Sequence, residues 1–96
     1  MNEPQPDNRV NKVEFFSAIS KNCKTILVRG SKKEIKKEIE RRGITKNNIV
    51  IFRCQSIGGE TIIKKPIHRP RFKLTNEHRV AMTKAALNFL SENGLS

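Results

Sequence analysis

The order of apolar and polar positions divides the chain into six predicted elements. In "NKVEFFSAIS", Val13, Phe16 and then Ile19 or Ser20 recur at helical spacing, and Asn11 with Glu14 three positions later forms a capping pair, so the pattern predicts a short helix over about residues 11 to 21. "KTILVRG" then gives four consecutive apolar or β-branched residues, Thr25 to Val28, closed by Gly30, which is the signature of a strand covered on both faces. "SKKEIKKEIERRG" reads as a helix with Ser31 as N-cap, Glu34 completing a capping box and Gly43 as the stop; its apolar face is narrow, only Ile35 and Ile39.

"NNIVIFRCQ" (47–55) is a second covered strand, "SIGG" a turn, and "ETIIKK" a third, more exposed strand returning antiparallel to it. After a Pro-containing segment, Thr75 caps a last helix whose broad face is Met82, Ala85, Ala86, Phe89 and Leu90, with Gly94 and Leu95 ending it as a Schellman stop. Strand, helix, strand with short joints is a crossover unit, so strands 25–29 and 49–54 are expected side by side and parallel. The fold class that follows is α/β (α+β): one small domain in the order α-β-α-β-β-α, with helices packed on a three-stranded mixed sheet. Residues 1–8, "MNEPQPDN", hold two Pro, two acids and a single apolar residue, so residues 1–10 read as a flexible N-terminal arm ahead of a single basic domain, 11–96.

Composition changes this picture in one respect. Twenty Lys or Arg against nine Asp or Glu leave a formal charge of +11, which opposes compaction by self-repulsion and therefore asks for a use. The excess sits in two blocks: residues 21–54 carry eleven basic and three acidic side chains, and residues 64–84 carry seven and one. In the first block Lys33, Lys37 and Arg41 fall at i, i+4 and i+8, opposite Ile35 and Ile39, where a phosphate-tracking helix carries its cations and where an ordinary solvated face also carries them. The second holds "KKPIHRPRFK", in which Pro66 and Pro70 each remove a backbone donor and favour an extended strap. Its Arg69, Arg71 and Lys73 alternate, so their heads recur about every 6.6 Å, near the spacing of successive phosphates. Lys65 precedes them on the same strap, and no acid lies between Thr61 and Asn76 to absorb the charge. Lys64, Lys65 and Pro66 also discourage a strand edge from recruiting another chain, an alternative use of the same residues.

These residues lead to the expectation of a non-enzymatic protein that binds duplex or structured nucleic acid mainly through phosphates, DNA slightly ahead of RNA. The competing expectation is an interaction module or inhibitor whose basic face docks on an acidic protein. Base stacking is the weaker mode, since the chain has no Trp and no Tyr; Phe72, between Arg71 and Lys73, is the one candidate platform, and an anchor pinning the strap to the sheet is the favoured reading of it. "IERRGITKNNIVIF" has a partial likeness to a helix-turn-helix, against which the β-branched and aromatic run Ile49 to Phe52 argues.

Other chemistry is poorly supplied. Cys23, Cys54, His68 and His78 lack the close pairs that hold zinc, so neither a metal nor a cofactor is expected. No His-carboxylate pair suggests general acid-base work. "VRGSKKE" lacks the Gly-Lys-Ser/Thr order of a nucleotide-binding loop, though Arg29, Ser31 and Lys32 suit one backbone phosphate. With no apolar signal segment and no run near 20 apolar residues, the expectation is a cytoplasmic protein with reduced thiols and no membrane attachment. An exposed edge strand leaves closure by a second copy, a homodimer, open.

Overall fold

The segment expected to be the first helix is a strand. In the computed structural model, which describes residues 12–58 and 60–93, β1 (Lys12–Ser20) occupies the interior of a sheet, with Phe15, Ser17, Ala18 and Ile19 all inaccessible to solvent. Ser17, Ala18, Ile19 and Ser20 are buried on both faces, so apolar residues there need not alternate, and Val13, Phe16 and Ile19 fall at helical spacing while the strand sets Val13, Phe15 and Ile19 toward one core. The expected N-terminal arm and the Schellman stop at Gly94 lie outside the described residues.

A tight turn returns the chain into β2 (Ile26–Arg29). Asn22 organises it: its Oδ1 accepts from the Ser20 hydroxyl at 2.7 Å and from the Lys24 N–H at 3.0 Å, while Cys23 takes a left-handed φ of 63°. α1 (Lys32–Arg42) then begins where expected, Ser31 Oγ accepting from the Glu34 N–H at 3.2 Å. Gly43, at φ 69°, ends it, its N–H bonding the Glu40 carbonyl at 3.1 Å and that of Ile44 the Ile39 carbonyl at 3.1 Å. A single 3-10 turn (Lys46–Asn48) leads into β3 (Ile49–Ile57), which turns into β4 (Glu60–Pro66); α2 (Asn76–Glu92) closes the described chain. The segment with a partial likeness to a helix-turn-helix therefore ends in a strand, as its β-branched run favours.

The four strands form one antiparallel sheet in the order β2-β1-β3-β4. This replaces the expected α-β-α-β-β-α order and three-stranded mixed sheet with a β-β-α-β-β-α chain of α+β type. β2 and β3 do point the same way, since each is antiparallel to β1, but β1 lies between them and no parallel pair forms. The fourth strand is what the misread segment supplies.

Each face of the sheet carries its own core. On one, α2 lays Met82, Ala86 and Leu90 against Phe15, Ile19, Val50, Phe52 and Cys54. On the other, α1 contributes Ile35 to a smaller cluster with Ala18, Leu27, Ile49 and Ile51. The alternation along β3 is visible in this division: Ile49 and Ile51 face α1, Val50, Phe52 and Cys54 face α2. α1 lies over β1 and β2, so on its side the sheet is only partly covered.

His78, 5 % exposed, fastens α2 to the far end of the sheet. Its Nε2–H donates to the Lys21 carbonyl at 3.0 Å, leaving Nδ1 to accept from the Thr75 N–H at 3.1 Å. That second bond is the reciprocal half of a capping box, with His where Glu or Gln is usual.

Candidate nucleic-acid interface

The strap is pinned at both ends and free between them. Pro66 pairs with Phe52 at the end of β4, beyond a register shift that lets the chain leave the sheet. Pro at the end of an edge strand leaves no ladder donor unused. Ile67 follows, donating its N–H to the Ile51 carbonyl at 2.9 Å and packing on the α1-side cluster. The Ile51 N–H in turn donates to His68 Nε2 at 3.3 Å, so the His68 ring takes the place of the next backbone acceptor.

At the other end Phe72 and Leu74 pack into the α2-side core, and the Phe72 ring lies 5.5 Å from the His78 ring. Exposure alternates between these anchors: Arg69, Arg71 and Lys73 are exposed, Pro70, Phe72 and Leu74 half-buried. Phe72 is engaged as the strap's anchor, with its ring turned to the core.

Between the strap and α1 runs a trough of about 780 Å³. Its floor is four isoleucines, Ile39 and Ile44 from α1 and its exit, Ile49 and Ile51 from β3. Lys36 and Lys46 stand on one side of it and Arg69 and Arg71 on the other, with Glu40 the single acid among the lining residues. The expected helix stripe does not line it. At roughly 100° per residue, Lys33, Lys37 and Arg41 project away from Ile35, and they are exposed on the outer side of α1. Lys65 is exposed on β4, at a smaller depression on the α2 side of the sheet with Lys64 and Arg79.

The fold thus joins Arg69 and Arg71 to two cations the sequence did not single out. Lys36 was legible: it lies one turn from Ile39 and shares its side of the helix. Lys46 was not, because only the path of β3 across the sheet brings it beside the strap.

The cations have few partners. Among the described residues the ion pairs are those of Glu38 with Arg41 and Arg42, the latter at 3.0 Å. Hydrogen bonds from Arg41 and then Arg42 hold the Glu38 carboxyl below the usual carboxylate range. Neither thiol is activated. Burial pushes Cys54 up to about 12, and partial burial, with Glu77 secondary, pushes Cys23 up as well. Among the described residues no three His, Cys, Asp or Glu side chains gather as a metal site would need, and no helix is long and apolar enough to cross a membrane.

Comparison with protein-family models, with curated proteins and with solved structures gave no match.

Proposed function

We propose that the protein is a non-enzymatic binder of duplex or structured nucleic acid, and that the trough between α1 and the strap is where it holds the phosphate backbone. One observation carries this reading: Lys36, Lys46, Arg69 and Arg71 come from three separate segments and converge on one trough that contains a single acid. Cations gathered without partners destabilise a fold, and neutralising phosphates is the use that releases that repulsion while freeing condensed counterions. Lys73 extends the line of exposed cations along the strap, and Lys33, Lys37 and Arg41 form a second, outer line on α1.

The isoleucine floor favours a second reading, an acidic partner protein that sets an apolar side chain between Ile39 and Ile51 and its acids against the rim. The two are separated by salt. Fluorescence anisotropy with mixed-sequence duplex DNA and duplex RNA, from low to physiological salt, should show affinity falling with a log-log slope near −0.9 per phosphate contact, about −3 to −4 for the four trough cations. Replacing Arg69 and Arg71 by Ala should make the slope shallower by about two. Weak binding to both duplexes at low salt, unchanged in the double variant, would reject the proposal in favour of the protein partner.

A further inference from the structure

The side of the sheet that carries α1 is open beyond the helix, and the strand register places an unusual row there. Phe16 on β1 is directly opposite Arg29 on β2 and Arg53 on β3. Directly paired residues share a face, so the three stand side by side across three strands. The face is that of α1, because Phe16 packs at the margin of the Ile35 cluster. Phe16 and Arg29 are half-buried and Arg53 is exposed, with its guanidinium over the Phe16 ring, 5.9 Å from the centroid.

In the next row Glu14, Gln55 and Ile62 are paired across β1, β3 and β4, and Ile62 is 40 % exposed. The row is continuous with the trough. Along β3, Ile49, Ile51 and Arg53 alternate onto this one face in steps of about 6.6 Å, the first two as trough floor and the third as part of the row.

We infer that the Phe16–Arg53 stack is a platform for an unpaired base, reached by a nucleic-acid strand whose backbone lies in the trough. The inference rests on the nucleic-acid reading and specifies its substrate as a duplex with a single-stranded extension or a loop. An aromatic ring layered by a guanidinium offers a flat, polarisable surface on which any base can stack, at the depth of the sheet rather than of a groove. Arg29 on the other side of the ring supplies a cation for the adjoining phosphate. Glu14, exposed one row on, carries carboxylate acceptors suited to base edges, whereas Gln55 beside it is buried. A duplex alone cannot present an unstacked base to this row, so a paired end would sit in the trough and its tail on the sheet.

The test compares a blunt duplex with the same duplex carrying a single-stranded tail, using the full chain and three variants. The tail should tighten binding of the wild type about tenfold, the worth of one stacked base. Phe16→Leu keeps an apolar side chain at the margin of the core but has no ring, and it should lose that gain while binding the blunt duplex as the wild type does. Arg53→Gln changes an exposed side chain, so it tests the stack without disturbing the core, and it should lose most of the gain. Because the chain has no Trp, Phe16→Trp introduces a single indole whose fluorescence should be quenched by the tailed duplex and not by the blunt one. If the blunt duplex binds but the tail adds nothing, or if Phe16→Leu and Arg53→Gln keep the full gain, the stacking inference is overturned and the phosphate reading stands. If neither probe binds, both fall together.

Discussion

At the scale of single residues, burial sets the chemistry of Cys54 and of three hydroxyls. Cys54 is fully buried against α2, in a place where a small apolar side chain is needed, and its thiol has no neighbour that favours ionisation. Desolvation raises its pKa from 9.0 to about 12. A folded-state pKa raised in this way gives stability that is intact below the ordinary thiol range and is lost as pH rises toward 12, since the unfolded chain ionises first. Urea midpoints should therefore decline between about pH 9 and 12, and the decline should be smaller in Cys54→Ala. An equal decline in both would show that other groups cause it. Ser17, Ser56 and Thr61 have hydroxyls buried without a partner, and the register puts Ser56 directly opposite Thr61. Each such hydroxyl is buried at the cost of an unsatisfied polar group.

At the scale of elements, the ends of α1 are set by residues whose roles are separable. Gly43 holds φ 69°, and a Cβ built there meets nothing within 4 Å, so backbone conformation alone requires glycine. Gly43→Ala should lower stability by roughly 1 kcal/mol with an unchanged denaturant slope, and Gly43→Asn by less, since Asn tolerates the left-handed region. A loss as small in Ala as in Asn would contradict the assignment. The same helix was legible in the sequence because its signals are local: Ser31, Glu34 and Gly43 sit within a turn of the groups they satisfy. β3, β4 and α2 were legible for similar reasons. β1 was not, because its second half, buried on both faces, loses the alternation that identifies strands, and a capping pair at Asn11 and Glu14 supplied a false local signal. That one element changed the sheet from three strands to four and made a parallel neighbour pair into two strands separated by a third. The candidate site followed the fold: Arg69 and Arg71 were singled out from charge and proline alone, whereas Lys46 and the Phe16 row depend on the register of β1 and β3 and have no signature along the chain.

At the scale of the whole molecule, a charge of +11 with one carboxylate, Glu38, accounting for the ion pairs among the described residues should make folding, and on the proposed reading nucleic-acid binding, respond oppositely to salt. Screening weakens repulsion among the cations and should raise the thermal midpoint of the free protein as ionic strength goes from about 0.01 to 0.15 M, where the Debye length falls from about 30 to 8 Å. The same change should weaken the proposed nucleic-acid binding by orders of magnitude. A thermal midpoint that falls with salt would mean that attractive pairs, and not repulsion, dominate the free fold.

The position of β1 between β2 and β3 also bears on how the chain comes together in time. The hairpins β1–β2 and β3–β4 each close a turn of a few residues, a microsecond event. The seam between β1 and β3, the most extensive pairing in the sheet, must instead close the whole stretch from Lys21 to Asn48, with α1 carried inside it. During synthesis, a chain that ends before β3 leaves Phe15 without Cys54 opposite it and Ile19 paired on only one side, by Ile26, however well β2 and α1 have formed. The N-terminal half is then an unfinished surface that waits for the C-terminal half, and folding as a single unit is the expected outcome.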